Sequence, residues 1–504
     1  MSPSTAPDMQ VEAFDSISFD SLFLIDEAYI RHAAVLFSPV RGHRMDDLSL
    51  RDPLEGDTLA REEHRPSLRR FSSSGEGWLE TYLVRSDVPE PLVAVPESYQ
   101  RAVLFSITGQ SNSAAGGRKN FPPRERAVTR TPPYPHRALM PMTGTLQSSL
   151  TEIDPSTIAD LAPACEARDG ETPVTSALRW SVAQDLAAGR KPAVHIGATH
   201  GRAGRKLREI SKGTAPYANG QMLWRQLSRL ATLYGQPGIW CPALHLDQGE
   251  ADRRKTSRAE WVALGQAFHA DNEADIRAAT GQPEPVWLIM AQLAATPGTL
   301  ADAGTALAQQ DLMMMAPRTT IAFPSYFFQG RYGMSGVHFT PTGHALRGEY
   351  HAKANRLLRS ATTAVADPWT LNIESVRTCL RPDFAGVRRL GSVITIPLVL
   401  PADGTRACLD TDSLPPAPHF GFEKTEGAGG AIEAVELVGN VIRVTLDSPG
   451  GATLRYAYAA QGTPSALDRS GAWGNFRDDC DAESVVVPGM KLWNWLISFE
   501  VTVP

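Results

Sequence analysis

Four short stretches of this chain concentrate the residue types that chemistry needs. Phe105-Ser-Ile-Thr-Gly-Gln-Ser-Asn112 runs an apolar strand into Gly109. The sharp turn that glycine permits would place the Ser111 hydroxyl at the carboxyl edge of a sheet, with its own N–H facing the same space. His200-Gly-Arg-Ala-Gly204 offers glycines whose backbone N–H groups a ligand can approach. His245-Leu-Asp-Gln-Gly-Glu-Ala-Asp252 packs an amide and three carboxylates around one glycine, and Gly336-Val-His338 precedes a helix opening at Pro341. Acyl transfer by a serine needs a base for the hydroxyl proton and donors for the negative charge that develops on the carbonyl oxygen. His338 is the candidate base, and the Gly204 N–H and the Gln248 amide are candidate donors. A base works best when a carboxylate fixes its tautomer, and Glu250 and Asp252 are both candidates for that carboxylate.

These stretches would all have to meet at one edge of a sheet. Between 99 and 362 the pattern alternates strand and helix: short apolar strands at 102–108, 193–198, 239–246, 286–293 and 319–323, amphipathic helices at 177–186, 221–234, 258–280 and 341–360. Such alternation predicts a parallel sheet with helices on both faces and a site in the loops at the carboxyl ends of its strands. After 363 the helical signal stops. Strands at 393–400, 434–438, 441–446, 453–457 and 495–501, broken by Gly, Pro and Asp, predict an antiparallel β-sandwich. Trp473, Phe476, Trp493 and Trp495 read first as its core, with sugar stacking as the other use of such rings. Residues 1–98 read as a mixed, β-containing opening segment of unassigned role, with strands at 19–25 and 78–84.

Bulk composition excludes several classes. With 504 residues the chain exceeds one ordinary core, which suggests roughly two to four units, and the pattern along the chain divides it into 1–98, 99–362 and 363–504. Lys+Arg 49 against Asp+Glu 55 leaves a net charge of -6, so no global positive field draws nucleic acid. No apolar run approaches the ~20 residues of a membrane span, and the first residues lack the basic and apolar regions of a secretory signal. The expectation is synthesis in the cytoplasm, with release, if any, by another route. Five scattered cysteines show no zinc-ligand spacing, so neither a metal nor another cofactor is expected.

Taken together, Gly109-Gln-Ser-Asn112, Gly201-Arg-Ala-Gly204 with Ile210-Ser-Lys-Gly-Thr-Ala-Pro-Tyr217, Gln248-Gly-Glu-Ala-Asp252 and Gly336-Val-His338 resemble the successive blocks of the SGNH hydrolase superfamily. The nearest branch is the sialate O-acetylesterase and acetylxylan esterase type, like carbohydrate esterase family 6. The resemblance covers 99–362 and implies a flavodoxin-like three-layer α/β/α fold and metal-free hydrolysis of O-acetyl or similar short esters on carbohydrate. Carried over residue by residue, it makes Ser111 the nucleophile, His338 the base, and the Ser111 N–H, the Gly204 N–H and the Gln248 amide the oxyanion donors. The family usually has an aspartate three residues before the histidine, where this chain has Ser335. The acid role then falls to Glu250, with Asp252 as the alternative. The segment after 363 resembles β-rich modules that follow such esterases in bacterial and phage-associated proteins.

The reading is therefore a serine esterase acting on an acetylated glycan or polysaccharide. A second reading, motivated by Ser335 and the missing leader, is a carbohydrate-binding or phage-particle surface or tail protein on a degenerate esterase scaffold. Such a protein would be assembled in the cytoplasm as a homo-oligomer or particle component and released on lysis. A lipase or thioesterase would share the chemistry but needs an apolar lid or acyl channel, and no lid helix is evident.

Overall fold

In the computed structural model the described residues are 67–71, 79–83, 95–97, 100–114, 127–166, 170–253, 255–294, 304–333, 337–458 and 472–504. The strand expected at 19–25 lies outside them, as do Ser335 and Gly336. Three strands, β1 (Ser67–Phe71), β2 (Leu79–Leu83) and β3 (Val95–Glu97), pair antiparallel in the opening segment.

The centre is an eight-stranded sheet. Its strands are β4 (Ala102–Gly109), β5 (Ala138–Pro141), β6 (Leu161–Pro163), β7 (His195–Thr199), β8 (Ile239–Trp240), β9 (Ala243–Asp247), β10 (Trp287–Gln292) and β11 (Thr319–Pro324). The order is β11-β10-β9-β4-β7-β5-β6, with β8 also on β4. Every pairing is parallel except β5 with β6. The single strand expected at 239–246 is two, because Cys241-Pro242 interrupts it and proline has no N–H for the ladder. Strand β4 is buried on both faces and lies at the middle of the sheet, which is why it reads as a continuous rather than an alternating run.

Among the described residues six helices flank this sheet: α1 (Pro173–Ala187), α2 (Ala215–Leu233), α3 (Arg258–Thr280), α4 (Gly304–Met315), α5 (Tyr326–Tyr332) and α6 (Pro341–Thr363). Phe105 and Ile107 point into one core with α1 and α6, whereas Leu104 belongs to a second core with Trp224 of α2, Phe268 of α3 and Leu312 of α4. This is an α/β/α arrangement with helices on both faces. Helices α4 and α5 were not expected, since buried apolar residues surround them and blur a 3.6-residue period.

Beyond α6 the chain forms antiparallel sheets. One joins β12 (Val393–Val399), β14 (Ile432–Val438) and β15 (Val441–Leu446), and another joins β13 (Phe422–Glu426), β16 (Ala452–Tyr456) and β17 (Phe499–Val503). The core is continuous across this junction. Phe327 of α5 stacks on Trp495 with centroids 5.4 Å apart, and Tyr350 of α6 donates to the Trp493 carbonyl at 2.9 Å. Trp473, Phe476 and Trp495 are buried and Trp493 is half-buried.

Candidate active site

The turn after β4 needs glycine. Gly109 has φ +133°, and a Cβ there would lie 2.0 Å from the Asp247 carbonyl oxygen of neighbouring β9. That same carbonyl accepts from the Gln110 N–H at 2.9 Å, while the Gly109 carbonyl accepts from Arg202 N–H at 2.8 Å. The strand ends of β4 and β9 and the loop after β7 are therefore tied together at one point, and Ser111 emerges from it. Gly201 completes the packing: a Cβ would lie 1.9 Å from Ser113 Oγ.

His338 arrives from the far side of the chain. Its loop is closed by a bridge between Gly333 and Phe339 and by the Thr340 N–H donating to the Tyr332 carbonyl at 2.8 Å. Thr340 then caps α6, accepting from Gly343 N–H at 3.1 Å, with Pro341 in the first turn. The outcome is direct: Ser111 Oγ and His338 Nε2 are 2.9 Å apart, across a separation of 227 residues. That distance suits transfer of the hydroxyl proton to the imidazole. Among the described residues no backbone acceptor occupies the N–H of Ser111 or of Gly204. Gly204 lies in an exposed turn with φ +73°, and its Cβ position faces open space.

Glu250 meets the elbow through amides. One carboxyl oxygen accepts from Gln110 Nε2 and the other from Asn112 Nδ2 at 2.7 Å. Asn112 Nδ2 also donates to the Val337 carbonyl at 3.2 Å, and Ala251 N–H donates to Gln110 Oε1 at 2.9 Å. Glu250 thus braces the serine turn and, through Asn112, the backbone immediately before His338. Burial pushes its pKa up; a backbone hydrogen bond, the Arg347 charge and the Asn112 amide work against that rise, and Asp247 adds to it.

Beneath this lies a buried ionic cluster. Arg347 of α6 holds Asp247 at 3.0 Å and donates to Ser325 Oγ at 2.8 Å, and its guanidinium lies 4.7 Å from the ring centre of Phe339, the residue after His338. His351 Nε2 is 3.1 Å from Asp247 Oδ1; a carboxylate only accepts, so that nitrogen carries a proton. His245 Nδ1 faces His351 Nδ1 at 3.1 Å, and burial pushes His245 well below the ordinary imidazole range, so it is neutral. Burial alone would raise the Asp247 pKa, but Arg347 and His351 outweigh it and hold the carboxyl ionised, well below the usual range.

No protein-family profile matches the sequence, and no curated protein sequence matches it. Structures alike in fold include two carbohydrate esterases. A novel carbohydrate acetylesterase from Xanthomonas citri is 13% identical over 84% of this chain and 85% of its own, with a TM-score of 0.47. NanS is 13% identical over 52% of this chain and 99% of its own, with a TM-score of 0.31. A family two carbohydrate esterase from Clostridium thermocellum, crystallised with cellohexaose, is 11% identical over 54% of this chain and 67% of its own, with a TM-score of 0.25.

Two of the expected site residues serve elsewhere. The Gln248 amide donates to the Arg205 carbonyl at 2.9 Å and to Asp252 Oδ2 at 2.7 Å, so both its hydrogens are committed and none remains for an oxyanion. Asp252, the alternative acid, is fully buried and accepts from Leu207 N–H at 3.0 Å and Thr256 Oγ1 at 3.0 Å as well as from Gln248. Together they set the loop that contains Gly204. Sequence reasoning missed Asp247, Arg347 and the bracing amides of Gln110 and Asn112. One signal was available: an arginine on the otherwise buried face of the helix after His338 needs a buried partner. Among the described residues no group of three or more His, Cys, Asp or Glu is placed to hold a metal ion, and no helix is long and apolar enough to cross a membrane.

Proposed function

We propose that this protein is a serine esterase that removes O-acetyl or similar short acyl groups from a carbohydrate. The observation that carries the reading is the 2.9 Å contact between Ser111 Oγ and His338 Nε2 at the carboxyl edge of the parallel sheet. In the first half-reaction His338 Nε2 takes the Ser111 proton while Oγ bonds to the ester carbonyl carbon. The oxyanion is held by the N–H groups of Ser111 and Gly204. The C–O bond to the sugar then breaks, and the sugar oxygen leaves with the proton from His338. Water, deprotonated by the same imidazole, attacks the acyl-serine and releases the carboxylic acid and free Ser111.

Glu250 is the acid of this proposal, acting through the amides that hold the serine turn and the backbone before His338. Acetate release from O-acetylated polysaccharides and from p-nitrophenyl acetate tests the reading. Ser111→Ala and His338→Asn are each expected to reduce turnover by at least about 10³-fold. Turnover equal to that of the parent in the folded Ser111→Ala protein would refute it.

A further inference from the structure

A cavity of about 330 Å³ opens beside Tyr332, whose carbonyl receives the Thr340 N–H two residues after His338. It lies where α5 meets the C-terminal sheets, and its lining includes Phe327, Arg331, Tyr332, Trp493 and Trp495. Its walls are set rather than adaptable. Trp495 is stacked on Phe327, and the Trp493 ring carries the Arg477 guanidinium 3.6 Å from its centroid, with Arg477 itself paired to buried Asp410. Phe327 and Trp495 are buried, so the half-buried Trp493 is the ring that offers a rigid face to the cavity, and such a face is what the apolar C–H side of a pyranose packs on with little loss of entropy.

The charge on the lining is one-sided. Only Arg331 and Lys491 are ionic there; Lys491 is paired with Glu483 at 2.8 Å, whereas Arg331 is exposed and has no carboxylate partner among the described residues. Its guanidinium lies over the Tyr332 ring at 5.5 Å, which leaves the N–H fork free for a planar anion. Tyr332 is also the residue whose carbonyl anchors Thr340, so one hydrogen bond ties the cavity wall to the cap of α6, two residues after His338.

We propose that this cavity is a subsite for a carboxylate-bearing sugar, such as a uronic acid unit of the same chain that presents its ester to Ser111. The proposal rests on the esterase reading for its biological sense, but binding can be measured without turnover. Calorimetry on the Ser111→Ala protein would use trigalacturonate and, as the neutral probe, cellotriose. Trigalacturonate is expected to bind at least tenfold more tightly than cellotriose. Arg331→Gln should weaken it by about ten- to a hundredfold, the range for a lost charge-assisted hydrogen-bonded pair, while hardly moving cellotriose. Trp493→Ala should weaken both sugars. Because Arg331 is exposed, Arg331→Gln is not expected to disturb folding, and its melting temperature checks this.

Equal affinity for the two sugars, or trigalacturonate binding unchanged in Arg331→Gln, would overturn the subsite. Hydrolysis of p-nitrophenyl acetate by the parent protein, measured alongside, tests the esterase reading separately. Its failure with acidic-sugar binding intact would leave the subsite standing.

Discussion

Arg347→Met offers the sharpest test of how the site is built. The change keeps side-chain length but removes the guanidinium both from the Phe339 ring, 4.7 Å away, and from fully buried Asp247, 3.0 Å away. Removing one partner of a buried pair costs about 3–5 kcal/mol, a large part of the 5–15 kcal/mol typical of a whole domain. His351 stays as a second partner for Asp247, which places the expected loss at the lower end, about 3 kcal/mol. Asp247→Asn should cost a similar amount, because it strands the arginine instead. The double variant removes both charges and should lose clearly less than the sum, with a coupling of about 2 kcal/mol or more.

Urea denaturation of the four proteins gives these energies, and steady-state hydrolysis of p-nitrophenyl acetate gives the functional counterpart. Since Arg347 supports Phe339 beside His338 and Asp247 carries the carbonyl that receives Gln110, loosening the pair should lower kcat by about 10–100-fold. KM should change little by comparison. Additive single losses, with coupling below about 0.5 kcal/mol, would refute the argument that the pair acts as one unit. Full activity in a destabilised Arg347→Met protein would refute its link to the His338 loop.

Glu250→Gln places an NH₂ against either the Gln110 or the Asn112 amide, two donors facing each other, so it should lose most of the activity; with Ser335→Ala nearly neutral, this would assign the acid role, and parent-like turnover in Glu250→Gln would remove it. Gly109→Ala should abolish activity and lower the urea midpoint, because its Cβ would meet the Asp247 carbonyl at 2.0 Å and φ is +133°; a folded, active variant would show that the turn is not strained as described. For pH, burial pushes buried His200 from 6.5 down to about 4, so the folded protein keeps it neutral while the unfolded chain protonates it. That contribution is fully present above about pH 6.5 and is lost as pH falls toward 4, by on the order of 3 kcal/mol. Denaturation at pH 7 and pH 4.5 should show a shallower loss in His200→Gln, and an unchanged slope would count against it.

What the sequence by itself determined was local and periodic. Hydrophobic runs ended by glycine marked β4 and its serine turn, 3.6-residue stripes marked α2, α3 and α6, and the change to alternating strands after 363 marked where antiparallel sheets begin. The glycine turn at the end of β4 and the order of the four chemical stretches pointed to Ser111 and His338 as the expected pair. The tertiary structure alone decided which side chains meet there. Glu250 and Asn112 are 138 residues apart and the Ser111–His338 pair 227, and no sequence period reports contacts at such separation. Gln248 and Asp252 showed the right chemistry at the right strand end, yet each found a closer partner in the loop after β7. A buried amide or carboxylate goes to whichever group packing brings within about 3 Å, and only the packed sheet sets that distance.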